Sequence, residues 1–188
     1  DHYDRLSLML WQHNGWLLPD LGTTGYGAKM HYDYYKNSAT HNTLSVNQTN
    51  QPPANTEVLG WHMGDDYHWI DAEVNWKKPP PTLNSHTRVE WDVEAWREVR
   101  FRRRLLWLDD VLIDLSTVEN PHRQQLDWTL HLAAKALDQS GMPQPFSLRG
   151  PLRDMRDSTV TPLHGCQPRH FSRENDTFAL WLAGDGEL

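Results

Sequence analysis

Residues 86–119 read HTRVEWDVEAWREVRFRRRLLWLDDVLIDLSTVE, and this stretch decides the fold class. Charged and apolar side chains alternate over residues 88–95, and the segments on either side of Asp109-Asp110 are rich in Val, Ile, Leu, Trp and Thr, which is typical of β-strands. The pattern predicts a strand from Thr87 to Leu108, a turn at the two aspartates and a second strand over residues 111–119. Together these segments form a β-hairpin.

Shorter segments with the same alternation occur on both sides of this hairpin, separated by loops rich in Gly, Pro and Asn. Asn14-Gly15 is a strong hairpin turn signal. No segment favours a helix of more than three turns. The sequence therefore predicts an all-β fold, an antiparallel β-sandwich with little helix, as a single domain over residues 1–188. The additional strands are predicted at Leu6–Trp11, Trp16–Leu18, Thr43–Val46, Glu57–Trp61, Tyr67–Trp76, Leu126–Ala134 and Thr177–Ala183.

The composition and charge of the chain make some binding partners less suitable than others. The 188 residues carry a formal net charge of −7, which disfavours binding to nucleic acid. No apolar stretch approaches the roughly 18 residues that a membrane span needs. Ten Trp residues fit a large β-core, and stacking on sugar rings is the second interpretation. The chain opens with Asp1 directly in a patterned segment, so we expect it to be a fragment of a larger protein.

Basic residues cluster in Arg100–Arg104. Strand alternation places Arg103 on the face opposite to Arg100, Arg102 and Arg104. Pairing with Asp92, Glu94 and Glu98 favours a solvated, charge-balanced face over a polyanion site. In the WTLHL segment, His131 is expected to be a hydrogen-bonded sheet histidine.

His2, Asp20 and His41 are candidate metal ligands, since His nitrogens and carboxylate oxygens are common ligands of zinc. Their spacing is not diagnostic, and from the residues alone the simpler explanation is a chain-end residue, a turn residue and a polar residue beside a strand. A two-residue turn at Asn14-Gly15 would place Asp20 opposite Met9. A shared ion therefore requires residues 1–5 to bend back before the strand begins.

The segments around these residues resemble one family. HYDRLSL, a hairpin, LLPDLGTTGYG and then SATHNTLSVN are similar to the C-terminal β-sandwich domain of the heparinase II/III-like polysaccharide lyases, which include heparin, heparan sulfate and alginate lyases. The family's opening His-Gly-His motif, D-x-G segment and His-Asn-Thr segment are matched by His2 with Asp4, by Asp20-Leu21-Gly22 and by His41-Asn42-Thr43. The similarity is specific over residues 2–46 and looser over residues 97–131.

The resemblance implies a zinc ion held by His2, Asp20 and His41, which joins the loops beside a catalytic cleft. It implies β-elimination on a uronic-acid polysaccharide such as alginate or a glycosaminoglycan, in a bacterial periplasmic or secreted enzyme. The main catalytic Tyr and the residues that neutralise the substrate carboxylate would lie on an upstream α/α-toroid domain. The first His of the motif would precede Asp1, which itself stands where the family usually has Gly. No catalytic residue is therefore assigned, and the isolated chain is expected to be inactive.

The Gly-rich loop and the Tyr-rich segment after it are the predicted substrate-binding surface, because they combine aromatic rings with cations. Tyr26 is the best positional match to a family Tyr that contacts substrate. A non-catalytic carbohydrate-binding or structural β-module is the alternative function. The predicted substrate-binding residues are Tyr26, Lys29, His31, Tyr34 and Tyr35, with Lys36 beside them.

Overall fold

A computed structural model describes residues 2–12, 15–78 and 90–137, and the backbone of residues 167–173 and 176–182. In these ranges the regular structure is almost entirely antiparallel strand, as the alternating sequence pattern predicts. Helical structure there is limited to residues 29–35, where two α-helical residues lead into a π-helical turn at His31–Tyr35, and to a 3-10 turn at Ser38–Thr40. The prediction of an all-β, antiparallel β-sandwich fold is confirmed.

Eleven strands are described, numbered in chain order. They are β1 (Leu10–Gln12), β2 (Gly15–Leu18), β3 (Leu44–Val46), β4 (Thr56–Met63), β5 (Tyr67–Asn75), β6 (Arg100–Leu108), β7 (Val111–Glu119), β8 (Leu126–Trp128), β9 (Lys135–Ala136), β10 (Gln167–Arg173) and β11 (Asp176–Leu182).

Strands β4 to β7 form a four-stranded antiparallel sheet in sequence order. The hairpin between β6 and β7 turns at Asp109-Asp110, with Leu108 paired to Val111 as predicted. Strand β3 pairs with β8, β1 pairs with β2, and β10 lies between β9 and β11. The β3–β8 pair faces the four-stranded sheet, since the Trp128 ring meets Phe101 edge-on at 5.5 Å between centroids.

The described core lies between these two sheets. Val46 from β3 packs with Ala95, Trp96 and Val99, all at most 3% exposed. The Trp76 ring lies 4.4 Å from the Trp96 ring, centroid to centroid. Trp76 and Trp96 belong to this packing, whereas Trp11, Trp16 and Trp61 are 54%, 44% and 66% exposed.

The segment before β6 differs from the prediction. Residues 87–89 of the expected strand lie outside the described residues. In the described part, residues 93–98 form turns and the strand begins at Arg100. The Asp92 carboxylate accepts hydrogen bonds from the amides of Glu94 and Ala95, at 2.9 and 3.1 Å, and so favours a turn over extended chain. Trp96 and Val99 are buried at a spacing of three, which the period-two interpretation missed.

The charge partners of the arginine strand also differ from expectation. Arg100 pairs with Glu119 and Glu73, and Arg102 pairs with Asp71. Glu94 instead pairs with Arg97, and Glu98 lies beside His122. These acidic residues lie in or next to the turns before β6, so they do not run alongside it. Arg103 does lie on the opposite face, as predicted, and it is buried at 3% exposure.

Two further strands are shorter than predicted. Residues 6–9 are not in a strand, and β8 ends at Trp128 rather than Ala134. His131 therefore lies outside a strand, but it is hydrogen-bonded: its Nε2 lies 2.9 Å from the carbonyl oxygen of Ala39. The predicted strand at Thr177–Ala183 is observed as β11, over 176–182. No helix in the described residues is long and apolar enough to cross a membrane.

Candidate metal centre and adjoining loop

The three predicted ligands lie together in the structure. Nδ1 of His2 lies 3.2 Å from Nε2 of His41, and Nδ1 of His41 lies 2.6 Å from Oδ2 of Asp20. His41 is fully buried, whereas the Asp20 side chain is 21% exposed. His41 is thus the centre of the cluster, with one partner at each ring nitrogen.

A bend in the opening segment makes this approach possible. The amide of Ser7 donates to the carbonyl of Asp4 at 2.9 Å, and Leu6 adopts a left-handed φ of 57°. That φ is unusual for a bulky residue without special support. Before the bend, the amide of Tyr3 donates to the carbonyl of Lys36 at 3.0 Å. Residues 2–5 therefore turn back toward His41 instead of continuing the strand, which is the condition that a shared site requires.

A tight turn directs Asp20 toward His41. The amide of Gly22 donates to Oδ1 of Asp20 at 2.7 Å, which leaves Oδ2 for the His41 ring. Gly22 has a φ of 69°, a conformation that glycine adopts without the steric cost of a side chain. The Asp-Leu-Gly sequence is therefore suited to this orientation of the carboxylate.

The hydrogen bond to Asp20 fixes the tautomer of neutral His41. A carboxylate only accepts, so Nδ1–H of His41 donates to Asp20, and Nε2 carries a lone pair toward His2. Tetrahedral zinc with Zn–N bonds near 2.0–2.1 Å would place two ligating nitrogens about 3.3 Å apart. The 3.2 Å between Nδ1 of His2 and Nε2 of His41 fits that spacing.

Asp4 is a further carboxylate close to the two histidines. One ring nitrogen of His2, one of His41 and one oxygen of Asp4 lie within 4.8 Å of one another. Asp20 contacts Nδ1 of His41, and the two ring nitrogens of an imidazole point away from each other. Asp4 is therefore a candidate ligand besides the three predicted ones, and Asp20 holds the His41 ring through Nδ1, as carboxylates often do for metal-binding histidines.

Local electrostatics favour the neutral form of His2. Burial, followed by the neighbouring His41, lowers the pKa of His2, and the carboxylate of Asp4 acts in the opposite direction. Neutral imidazole is the form that coordinates a metal ion. The donor set and its spacing therefore fit an ion such as zinc.

The loop after Asp20 brings two predicted substrate-binding residues to the surface. Tyr26 is 71% exposed, and the Lys29 side chain is 90% exposed with its Nζ 3.4 Å from the Asp33 carboxylate. Gly25, with a φ of 98°, forms the turn just before Tyr26. Tyr34 and Tyr35 are half-buried, and their rings meet edge-on at 5.3 Å.

His31 differs from the expectation of a surface residue. The π-helical turn points its ring inward, where it is 0% exposed and surrounded by the rings of His2, Tyr26 and Tyr32, with centroids 4.9–5.4 Å away. Its Nδ1 lies 2.7 Å from the Thr23 hydroxyl. Burial, followed by the charge of Lys36, lowers the pKa of His31. In this conformation the His31 ring lies beneath the surface, against the rings of Tyr26 and Tyr32.

The buried side of the site contains polar residues that sequence reasoning did not single out. Asn42 donates from Nδ2 to the carbonyls of Leu8 and Pro19, at 2.9 Å each, and so joins the segments on either side of the first hairpin. Arg103 donates to the carbonyl of Asn42 at 2.9 Å. For Arg103, the sequence contained one signal, its position on the apolar face of an otherwise solvated arginine strand.

We expect His131 to make the stability of the domain sensitive to acid. Burial lowers the pKa of His131 below its usual value of 6.5, so the unfolded chain takes up the proton more readily than the folded one. Stability is then lost as pH falls below about 6.5, by at most about 1.4 kcal/mol per pH unit for one proton. His131→Gln keeps an N–H donor for Ala39 and should make the dependence shallower. Urea unfolding from pH 8 to pH 5 in chelator measures this dependence.

The matched control for this prediction is His62→Gln, because His62 is exposed on β4. It should leave the slope of unfolding free energy against pH as in the parent chain. An unchanged slope in His131→Gln would contradict the prediction.

Comparison with protein-family models found one family. The model described as Heparinase II/III-like, C-terminal matches residues 1–185, which is nearly the whole chain. The match includes the segments of His2, Asp20 and His41. A comparison with curated proteins found no match.

Proposed function

The chain belongs to the Heparinase II/III-like, C-terminal family, and from this membership we propose that it is the β-sandwich domain of a polysaccharide lyase. The family match over residues 1–185 is the observation that carries the proposal. The substrate class is an acidic polysaccharide that contains uronic acid, with alginate and glycosaminoglycans as the first candidates. The same resemblance supports an upstream α/α-toroid domain in the same chain and a periplasmic or secreted location in a bacterium.

The reaction proposed for the whole enzyme is β-elimination. A base removes the proton at C5 of the uronate, the electron pair forms the C4–C5 double bond, and the C4–O bond breaks. An acid protonates the leaving oxygen, and a cation or hydrogen-bond donor neutralises the C5 carboxylate so that the proton becomes acidic. We propose that the base, the acid and most of this neutralisation come from residues outside this chain.

The part proposed for this domain is to border the cleft and contact the sugar chain. Tyr26 and Lys29 are the accessible members of the predicted substrate-binding surface, an aromatic ring and a cation three residues apart. A tyrosine supplies an apolar face and a hydroxyl, and a lysine supplies positive charge for a carboxylate. Tyr34 and Tyr35 follow in the same part of the chain and are half-buried.

We further propose that the domain holds a zinc ion at His2 and His41. The spacing of their nitrogens and the lone pair on His41 support this proposal. The resemblance makes Asp20 the third ligand, and the observed geometry makes Asp4 the better placed carboxylate. When bound, the ion would join the opening segment to the start of β3 and so hold the loops beside the cleft, without activating water.

Assay of the full-length parent tests the lyase proposal directly. β-Elimination creates a conjugated unsaturated uronate, whose ultraviolet absorbance should rise when the parent acts on a uronate polymer. We expect this rise on at least one of alginate, heparin or heparan sulfate, and no rise with the isolated chain. Absence of the product on every uronate polymer tested would overturn the proposal.

A non-catalytic carbohydrate-binding module is the second candidate, favoured by one surface feature. Trp11 and Trp16 pair across the first hairpin, are 54% and 44% exposed, and meet edge-on with centroids 5.1 Å apart. Exposed indole rings are suited to stacking on sugars. This function predicts a folded, zinc-free chain that binds polysaccharide alone. Metal analysis and oligosaccharide titration of the purified chain therefore separate the two candidates.

A further inference from the structure

Arg103 is the buried cation at the centre of β6. Its side chain is 3% exposed, and its Nε and Nη2 atoms donate to the carboxylate of Asp114 on the neighbouring strand. The guanidinium lies over the Trp128 ring, 4.8 Å from its centroid. These contacts fix the plane of the guanidinium and leave Nη1 for other acceptors.

Nη1 of Arg103 joins the two segments that carry the candidate metal ligands. It donates to the carbonyl of Leu6 at 2.6 Å and to the carbonyl of Asn42 at 2.9 Å. Leu6 is the residue with the left-handed φ at the bend after Asp4, and Asn42 directly follows His41. One side chain therefore connects the bend to the strand start beside the metal centre.

Other hydrogen bonds within the protein also hold this bend, without a metal ion. The backbone carbonyl of Arg5 accepts from the Thr43 hydroxyl at 2.7 Å, and the backbone amide of Arg5 donates to Oε1 of Gln51 at 2.7 Å. The amide of Leu8 donates to the carbonyl of Asn42 at 3.2 Å. The bend is thus bonded on both sides of Leu6, and Arg103 is the only charged donor to it among the bonds described here.

We propose that Arg103 is a positioning residue that sets the distance between the His2 segment and His41 before any ion binds. This proposal rests on the metal centre proposed above. It means that the hydrogen bonds of Arg103, and not only the ion, set the spacing of the metal ligands. Arginine suits this role because its planar fork binds Asp114 and both carbonyls at once. Lysine has a single ammonium group on a flexible stem and cannot reproduce that pattern.

Arg103→Lys tests the proposal, with Arg102→Lys as the matched control. Arg102 is next in sequence and makes a similar two-pronged bond to Asp71, at 2.8 and 2.5 Å, but has no described bond to the bend. We expect Arg103→Lys to weaken zinc binding by about 10-fold or more, in the range seen for outer-shell residues. The control should bind zinc as the parent chain does. Cobalt substituted for zinc should also show altered visible absorption only in Arg103→Lys.

A second measurement in chelator keeps the test independent of metal binding. Hydrogen exchange at the Leu8 amide should accelerate in Arg103→Lys by more than exchange at the Trp76 amide, which donates to Val99 in the core region. Equal acceleration at both amides would show general destabilisation and would overturn the proposal. Selectively faster exchange at Leu8 in Arg103→Lys, combined with a parent chain that binds no zinc, would support the positioning role and overturn the metal site.

Asp114→Asn serves if Arg103→Lys does not fold. It retains the guanidinium and both of its carbonyl acceptors but removes the charged partner that fixes the plane. We expect the same pattern with a smaller loss of zinc affinity. Unchanged zinc affinity together with unchanged Leu8 exchange in this variant would overturn the proposal.

Discussion

His41→Ala is expected to abolish stoichiometric zinc binding by the chain. The substitution removes the lone pair at Nε2 that faces His2, and it leaves the Asp20 carboxylate without the ring N–H it accepts. Loss of an outer-shell partner alone costs about 10- to 100-fold in metal affinity, so loss of the central ligand should cost more than about 100-fold. Equilibrium dialysis followed by elemental analysis measures the change.

Thermodynamic linkage gives a second readout of the same substitution. Zinc at about 100 times its dissociation constant should raise the free energy of unfolding of the parent chain by about 2.7 kcal/mol. The variant should show no zinc-dependent increase at that concentration. His122→Ala is the control, because His122 lies beside Glu98, far along the chain from the metal centre. Retention of one zinc per chain in His41→Ala would exclude His41 as a ligand.

Local sequence patterns were sufficient for much of the fold. The hairpin of β6 and β7 follows from two strand-forming segments on either side of a two-residue turn, so its register could be predicted without knowledge of the rest of the chain. The same holds for the second half of β5, where Asp71, Glu73 and Asn75 alternate with Ala72 and Val74. These features depend on neighbours in sequence, and the physical rules for them are local.

The segment before β6 shows where local patterns become ambiguous. Trp91, Val93 and Ala95 alternate with charged residues as a strand would, yet residues 93–98 form turns. The Asp92 side chain stabilises the first turn, and burial of Trp96 and Val99 against Val46 stabilises the rest. That burial depends on a strand some fifty residues earlier, which no local pattern contains.

The residues of the candidate site could be predicted from the sequence, but the way in which the backbone brings them together could not. Family resemblance identified His2, Asp20 and His41, and all three lie within one cluster. The bend at Leu6 could not be predicted locally, since no glycine occurs there. Long-range hydrogen bonds from Arg103 and Gln51 hold the backbone at this position instead. Asp4 gains its place in the cluster only through this bend.

The two carboxylates beside the histidine pair should respond differently to neutralisation. Asp4→Asn removes the carboxylate that lies within 4.8 Å of one ring nitrogen of His2 and one of His41, so the geometry predicts the larger loss of zinc affinity for this variant. Asp20→Asn keeps an oxygen that accepts Nδ1–H of His41, and its loss should stay near the 10- to 100-fold typical of an outer-shell carboxylate. Competition with a chromophoric chelator measures both affinities.

The visible spectrum of bound cobalt distinguishes a carboxylate that binds the metal from one that only orients a histidine, which affinity alone does not. An orienting Asp20 predicts that cobalt-loaded Asp20→Asn keeps the visible bands of the parent, whereas Asp4→Asn changes them because a ligand oxygen is lost. Asp33→Asn, at an exposed carboxylate that pairs only with Lys29 among the ion pairs described, is the control and should match the parent in both measurements. The reverse order, with Asp20→Asn the more damaging, would make Asp20 the direct ligand that the family resemblance implies. The bend at Leu6 would then serve to bring His2, without Asp4, to the ion.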